Sequence, residues 1–517
     1  MGDGRLSVGA GARRAWRRAL RCGVAASLLG LVAACGRGPD GLPAVRVGLA
    51  QAPANLDPRY ATDAVSARVV RLLYGALVGI DEHGRPVPAL ADWVRETPDR
   101  YVFTLREGIA PFADGTPLTA ADVAATYAAV LDPAGGSPHR GALAAIARVE
   151  ALDARRVAFD LHRPDALLPS FLTVGILPAA ALAAGHDFAA RPLGSGPFRF
   201  AAREGEGRLR LERRRDGLAI ELLEVRDPTV RALKLRRGEI DLVQNDLPPE
   251  IAAWLGAQPG LRLESAPGTT FAYLGLHLEH AALADPRVRE AIVLAIDRRA
   301  VTEKLYAGLA EPAESMLPPQ HWAGADLPER QRDPERARAL LAQAGYGPGR
   351  PLRLDYKTSA DPFRLRLAAV LQHQLREAGV EVAVRSYDWG TFYGDVKAGQ
   401  FEIYSLAWVG VHTPDIFRYA FHSAALPPDG ANRGRYRSAE VDRLVEAAER
   451  AQAPDEQAAL FRAVQGRLHT DVAYVPLWRE HNVAVTGARI AGYRLARDGN
   501  YDALADVLQR PGAAATP

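Results

Sequence analysis

The sequence predicts a large α/β protein, and three features indicate this. An aspartate followed by proline marks the start of a helix at 285–286, at 333–334 and at 361–362. Short segments of alternating apolar residues lie between the helices, as is typical of half-buried strands. The 517 residues are enough for two to four domains. Helices that alternate with strands and local hairpins predict an α/β fold with α+β elaboration.

The helices are predicted from their ends and their apolar faces. An aspartate side chain caps the first backbone N–H groups, and proline suits the first helical position because its missing N–H is not needed there. After the second aspartate–proline pair, apolar residues at helical spacing run to a stop at Gly345, and after the third pair the helix ends near Ala378. Thr119 and Asp122 form a capping-box pattern ahead of another helix.

The strands are predicted from alternating segments that turn residues flank. They are expected at Ala44–Leu49, Arg100–Leu105, Arg155–Leu161, Leu352–Tyr356, Val380–Arg385 and Phe401–Trp408. Pro- and Gly-rich joints are candidate boundaries or crossovers, and they lie near 188–198, 259–269 and 347–351.

Composition excludes several classes of protein. Hydrophobic residues make up 48% and charged residues 24%, so the chain can bury a core and is not disordered. Six arginines and one aspartate lie in the first 34 residues, which leaves 58 basic and 60 acidic groups in the rest. A nucleic-acid partner is therefore not expected, because it requires a basic surface. Two cysteines exclude a disulfide framework and a cysteine-rich zinc module.

The N-terminus has the order of an export signal. An arginine-rich stretch to Arg21 precedes an uncharged run, Cys22–Ala34, that is too short to span a membrane. Val32 to Cys35 resembles the bacterial lipobox, in which the cysteine becomes the lipidated first residue. We expect a lipoprotein signal peptide at 1–34, a lipid-anchored tether at 35–44, and a body in the periplasm or cell envelope. An ordinary secretory signal is the alternative.

Ten short motifs then follow in order along the body. They are Asn55–Pro58, Leu73–Val78, Tyr101–Gly108, Phe112–Val123, Gly194–Phe198, Arg237–Leu242, Arg289–Arg298, Ala339–Tyr346, Trp408 with Pro414 and Asp415, and Val475–Trp478. In this order they resemble the extracytoplasmic solute-binding proteins of family 5, the dipeptide, oligopeptide and nickel receptors of ABC importers. The resemblance covers about residues 45–510.

The resemblance implies a two-lobed periplasmic binding protein-like fold of the large, three-domain class II type. Lobe I would span 45–266, with an inserted subdomain at about 76–192, and lobe II would span 267–480. Residues 481–512 would return to lobe I, so that two crossovers form a hinge and the lobes close over a solute. Within the motifs, Phe112–Gly115 predicts a tight turn. Gly194–Gly196 predicts a packing turn, with an anion cradle as the alternative.

The implied function is that of a binding protein without enzymatic activity or cofactor. It would capture peptides or peptide-like solutes in the cleft between the lobes, as a monomer, and deliver them to ABC permease and ATPase subunits. An exported peptide-binding chaperone or a signalling receptor of the same fold would carry the same motifs and is the alternative. For a hydrolase, the residues around Ser195 lack the two glycines of a nucleophile elbow.

The ligand loop departs from the family pattern. Peptide-binding members have Trp-x-x-Asp, and the aspartate pairs with the free ammonium of the peptide. Here the loop begins at Trp408 and the corresponding position is Val411. An ammonium buried beside valine would be unpaired. We therefore expect a modified, blocked or non-peptide ligand, unless Asp415 supplies the charge instead of serving the loop scaffold.

The remaining candidates are aromatic, basic and histidine side chains of lobe II. Aromatic walls are typical of small-ligand clefts. Arg418 would bind a ligand carboxylate or pair with Asp415 at i,i+3. His412 and His422 would contact a metal chelate or be plain core or solvated residues, and no metal site is expected. The full set of expected ligand-binding residues is Trp408, Val411, Trp389, Tyr387, Asp415, Arg418, His412 and Tyr273.

Overall fold

A continuous sheet of 11 strands runs through the body of the protein, and a computed structural model describes residues 1–2, 44–205 and 207–510. The residues from Val45 onward form a compact unit of their own. The predicted signal peptide and Cys35 lie outside the described residues, as does the tether apart from Ala44. In the described part of the chain no helix is long and apolar enough to cross a membrane.

The strands, in chain order, are β1 (Val45–Leu49), β2 (Val78–Ile80), β3 (Pro86–Pro88), β4 (Ala91–Thr97), β5 (Arg100–Leu105), β6 (Ile146–Ala151), β7 (Arg156–Leu161), β8 (Phe198–Glu204), β9 (Arg208–Arg213), β10 (Ala219–Glu224), β11 (Leu242–Gln244), β12 (Leu261–Leu276), β13 (Ala310–Pro312), β14 (Leu352–Ser359), β15 (Val380–Tyr387), β16 (Ile403–Trp408), β17 (Tyr474–Gly487), β18 (Ile490–Ala491) and β19 (Leu508–Gln509).

The α-helices are α1 (Ala64–Leu73), α2 (Ala120–Leu131), α3 (Leu168–Phe171), α4 (Ala179–Ala183), α5 (Pro228–Arg236), α6 (Pro249–Gly256), α7 (Pro286–Ala295), α8 (Arg298–Lys304), α9 (Pro334–Gln343), α10 (Pro362–Glu377), α11 (Trp389–Ala398), α12 (Ile416–Phe421), α13 (Ala439–Arg450) and α14 (Pro454–Asp471). Short 3-10 turns lie at Pro133–Gly135, Pro138–Arg140 and Asp502–Ala505.

The predicted helix starts are confirmed. Asp285, Asp333 and Asp361 each accept a hydrogen bond from a backbone N–H of the helix that follows. Thr119 and Asp122 form the capping box of α2. The third of the aspartate-capped helices, α10, ends at Glu377, one residue before the expected end. These starts are predictable because a cap depends on neighbours along the chain.

The predicted strands are also present, with shifted ends. β5 has the expected bounds, whereas β14 and β15 continue two or three residues further than predicted. Burial alternates along the whole of β14, and its additional residues pair with those of β15 up to Ser359 and Tyr387. Pairing with a neighbouring strand therefore sets the length, and this is not readable from one strand's sequence.

Two glycine motifs act in turns and packing, as expected. Gly115 has φ +89° and its N–H donates to the carbonyl of Phe112, which confirms the tight turn. A side chain at Gly194 would begin 2.2 Å from the carbonyl oxygen of Leu73, and the N–H of Gly196 donates to that oxygen. The second motif is therefore a packing turn against the end of α1.

The order of the large sheet is β15-β14-β16-β12-β17-β11-β1-β10-β9-β8, with β13 paired to β17. The long strands β12 and β17 are antiparallel to each other from Leu261 opposite Gly487 to Gly275 opposite Tyr474. They run from one hydrophobic cluster, which contains Val485, to another. Both strands therefore connect the two halves of the sheet.

The pairing of β12 with β17 is interrupted near its middle. The register shifts between Pro267 and Thr270. A side chain at Gly268 would begin 2.6 Å from the carbonyl oxygen of Glu480, so only glycine allows this close approach. The irregularity lies at the expected crossover, although the lobe bounds at 266 and 480 stay a prediction.

Candidate functional site

Four aromatic side chains form a partly exposed row beside the end of β16, here called the aromatic strip: Trp389, Tyr393, Trp408 and Tyr419. Trp389 begins α11 and is 59% exposed, and Tyr393 follows one helical turn later. Their rings stack with centroids 5.4 Å apart and planes 7° apart. Trp408 ends β16 and meets Tyr419 edge-on at 6.1 Å. The strip offers flat apolar surface to a solute.

A second, buried layer of tyrosines adjoins the strip at Trp408. Tyr273 on β12 is fully buried and stacks on Tyr474 with centroids 4.2 Å apart and on Trp408 at 6.3 Å. Tyr404 meets Tyr273 edge-on at 5.8 Å. Burial raises the pKa of Tyr273 and of Tyr474 far above the usual value, so both phenols stay neutral. The layer fixes the position of Trp408.

Arg433 joins the strip to the buried layer. Its Nη1 donates to the hydroxyl of Tyr273 and its Nη2 to that of Tyr393, both at 3.1 Å. The guanidinium lies 4.8 Å from the ring centroid of Trp408 and 5.4 Å from that of Tyr393, within cation–π range. Sequence analysis did not select Arg433, because its partners lie far away in sequence and the loop around it has no motif.

The expected ligand loop packs close to β12. Val411 is buried in the hydrophobic cluster that contains Phe271, and its N–H donates to the carbonyl of Thr269. The carbonyl of His412 accepts a hydrogen bond from Nε2 of His321 at 3.0 Å. Burial lowers the pKa of the His412 imidazole. The side chain of Val411 therefore belongs to the apolar core beneath the loop.

Asp415 and Arg418 do not pair with each other, so the i,i+3 interpretation is wrong. Arg418 binds both carboxylate oxygens of Glu449 on α13. Asp415 accepts a hydrogen bond from the hydroxyl of Thr413. Burial, with a smaller contribution from the nearby charge of Asp165, raises the pKa of Asp415 to about 6. Arg418 pairs with Glu449 because the two carboxylate oxygens of Glu449 accept from its Nε and Nη2 in a bidentate geometry.

A cavity of about 530 Å³ lies beside Asp415 and Arg418. Asp415, Arg418 and Tyr419 line it from one side, and residues of 141–171 line it from the other. Asp165 and Glu449 contribute further carboxylates. The cavity thus shares Tyr419 with the aromatic strip.

The ring of Tyr387 already contacts a cation, because an ion pair lies beside it. The Nζ of Lys357 lies 5.4 Å from the centroid of the Tyr387 ring and 2.6 Å from Oδ2 of Asp395. Tyr387 ends β15, two residues before Trp389. The structure therefore places it next to the strip, with a cation already on its ring.

Metal ligands do not cluster in the described part of the chain. No group of three or more His, Cys, Asp or Glu side chains is arranged there to hold a metal ion. Nε2 of His422 donates to Oε1 of Glu446 at 3.3 Å, its Nδ1 accepts from the N–H of Ala424, and the carbonyl of His412 accepts from His321. These histidines bind neighbouring protein groups.

The expected residues thus fall into three places. Trp408 and Tyr273 contact Arg433, and Trp389 stacks on Tyr393 next to them, while Val411 and His412 form the adjoining loop. Asp415 and Arg418 line the cavity. Tyr393 was not among the expected ligand-binding residues, and it lies on the face of Trp389 because the two are four residues apart on α11.

Comparisons with known proteins agree with this architecture. The family described as bacterial extracellular solute-binding proteins, family 5 Middle, matches residues 85–425. A probable di/tripeptide-binding protein of Pseudomonas aeruginosa is 29% identical in an alignment of 468 residues, and the match covers 83% of this chain and 89% of that protein. A glutathione-binding protein of Shigella dysenteriae is 27% identical, over 86% of this chain and 91% of that protein.

Among solved structures, the ABC transporter substrate-binding protein CtaP of Listeria monocytogenes superimposes with a TM-score of 0.81 at 22% identity. The match covers 91% of this chain and 100% of that chain. It confirms the predicted α/β, periplasmic binding protein-like fold class.

Proposed function

Because the chain belongs to family 5 of the bacterial extracellular solute-binding proteins, we propose that it captures peptides or peptide-like solutes for an ABC importer. The relatives named for binding di- and tripeptides and glutathione favour this class of solute. The observation that carries the proposal is the aromatic strip, which lies beside the point where β12 and β17 connect the two halves of the sheet. The captured solute is passed to a membrane permease.

The strip provides the contact surface for the solute. Trp389 and Tyr419 are exposed although both carry large apolar rings, and their exposure is consistent with a ligand that covers them. Planar amide groups and apolar side chains of a peptide pack well on such rings. Tyr273 stacks on Trp408 and holds this member of the strip in place from below.

The proposed solute lacks a free ammonium near Val411. The side chain of Val411 lies in an apolar cluster, where an ammonium would lose its hydration without gaining a carboxylate. Asp415 faces the cavity beside Arg418 and is the other candidate for pairing a cation. N-blocked or otherwise modified peptides are therefore the favoured ligands.

The anchor and the partners complete the proposal. Lipidation of Cys35 holds the mature protein at a membrane, in the periplasm or cell envelope, as a monomer that meets permease and ATPase subunits. Replacing Cys35 by serine should move the protein from the membrane fraction to the soluble fraction. Continued membrane association of Cys35→Ser would contradict a lipid anchor at this residue.

A thermal-shift screen of residues 36–517 tests the solute class. The panel contains di- to pentapeptides, each with a free or an acetylated amino terminus, together with opines, sugars and nickel chelates. A ligand at 100 times its Kd stabilises the folded state by about 2.7 kcal/mol, which raises Tm by several degrees. A shift with acetylated peptides supports the proposal. A shift with sugars or chelates alone would refute it.

A further inference from the structure

Arg433 lies in the loop between α12 and α13, and hydrogen bonds fix this loop on both sides of it. The buried amide group of Asn432 donates to the carbonyls of His422 and Tyr436. Its oxygen accepts from the N–H of Tyr436. The carbonyl of Gly434 accepts from the segment that follows β12. The guanidinium is therefore held in place before a solute binds.

The groups around the guanidinium are aromatic and uncharged. Its hydrogen-bond acceptors are the hydroxyls of Tyr273 and Tyr393, and the ring of Trp408 lies 4.8 Å away. Arginine has five N–H groups, so further donors remain for a ligand. Trp408 and Tyr393 are themselves partly exposed, which places the guanidinium directly beneath the aromatic strip.

The other buried arginines are satisfied differently. Each donates to at least one backbone carbonyl, and three of them also donate to a carboxylate. They are Arg213, Arg231, Arg289, Arg298 and Arg479. Within residues 44–205 and 207–510, Arg433 is the buried arginine that reaches neither kind of acceptor.

A buried cation without a counter-ion is unfavourable. Ring faces and neutral hydroxyls compensate a guanidinium only in part, whereas a carboxylate binds it with two charge-assisted hydrogen bonds. A second positive charge lies close by, because the Nζ of Lys397 is 5.1 Å from the ring centroid of Tyr393. Lys397 forms no ion pair with any residue that the structure describes. Positive charge therefore gathers at this end of the strip.

We infer that Arg433 is the counter-charge for an anionic group of the solute, and that a carboxylate enters between Trp408 and Tyr393. The inference rests on the proposed function and adds the chemical class of the solute, which is a carboxylate-bearing peptide or peptide-like acid. The side of the solute away from the carboxylate then lies toward Trp389, on apolar surface. Arg433 sets specificity because it binds the charged carboxylate form of the ligand more tightly than an uncharged form.

Paired ligands and matched variants test this by calorimetry on residues 36–517. The ligands are N-acetylated alanine peptides of two to five residues, each as the free acid and as the C-terminal amide. The variants are Arg433→Met, Arg433→Lys and the control Arg437→Met, an exposed arginine of the same loop that pairs with Glu279.

The wild-type protein should bind the acid more tightly than the amide by about 10- to 100-fold, as expected for a charge-assisted pair. Arg433→Met should abolish this preference, weaken binding of the acid by that factor, and leave binding of the amide within about 2-fold. Arg433→Lys should restore part of the preference, and Arg437→Met should keep all of it. The ligand-free Tm of Arg433→Met should equal or exceed that of the wild type.

Three outcomes would overturn the inference. Equal binding of acid and amide by the wild type would show that peptides bind without carboxylate recognition, and the proposed function would stand. Equal loss of both ligands in Arg433→Met, with a lower ligand-free Tm, would show that the arginine only holds the rings together. Absence of binding by any peptide would refute the proposed function, and the inference with it.

Discussion

Lowering the pH from 7 to 5 should lower the stability of the folded protein through His321, the histidine that contacts the ligand loop. Nε2 of His321 donates to the carbonyl of His412, and Nδ1 accepts from the N–H of Ala323. The imidazole is therefore neutral, with its proton on Nε2. A second proton would have to sit on Nδ1, where it would face the N–H of Ala323 and end that hydrogen bond.

The size of the effect follows from linkage. Burial lowers the pKa of His321 to about 4, and the unfolded-state value is about 6.5. The unfolded state thus binds the proton first, so stability falls as the pH falls from 6.5 toward 4. Between pH 7 and pH 5 the loss due to this one side chain amounts to about 2 kcal/mol.

Urea unfolding at pH 7, 6 and 5 measures this when the wild type is compared with His321→Asn. The variant cannot titrate, so its stability deficit at pH 7 should shrink by about 2 kcal/mol at pH 5. Asp415, whose raised pKa of about 6 acts in the opposite direction, cancels in the difference. A deficit of His321→Asn that is the same at all three pH values would refute the reasoning.

Three further substitutions test the packing around the site by the same unfolding measurement. Val411→Asp should lower stability by about 3 to 5 kcal/mol at pH 7 and by less at pH 4, where the carboxyl is protonated, whereas Val411→Asn should show no such pH dependence. Gly194→Ala should lower stability by about 3 kcal/mol, since the new methyl meets a backbone carbonyl, while Gly466→Ala, in open space on α14, should raise it by about 1 kcal/mol. Glu314→Gln should cost about 3 kcal/mol by removing the buried negative charge that pairs with Arg298 and Arg330, against less than about 1 kcal/mol for Glu329→Gln at the surface. If a substitution and its control changed the free energy of unfolding equally, the contact on which that prediction rests would be contradicted.

Local signals explain why much of the fold could be predicted. The cap at Asp333 involves a residue three positions away, so sequence alone contains all of the interaction. The turn at Gly115 likewise depends on four consecutive residues. The limits of β14 and β15 depend on each other, and both strands extend beyond their predicted ends.

The candidate site depends on contacts that are remote in sequence. Arg433 binds Tyr273 and Tyr393, which are 160 and 40 residues away, so no local pattern selects it. The sequence offers Arg418 either a ligand carboxylate or Asp415 one helical turn away, but Glu449, 31 residues away, accepts with both of its carboxylate oxygens. The aromatic residues were selected because ring size and type are visible in the sequence without knowledge of their neighbours.

The most direct test of solute capture at the aromatic strip is a calorimetric titration that compares two exposed tryptophans. Trp389 lies on the strip, and Trp254 lies on α6 with Arg236 over its ring. With an N-acetylated tripeptide acid, Trp389→Ala should weaken binding by at least about 10-fold, as expected for loss of a buried aromatic contact, and Trp254→Ala should leave Kd unchanged. Binding that survives Trp389→Ala at wild-type affinity would contradict the placement of the solute on this strip.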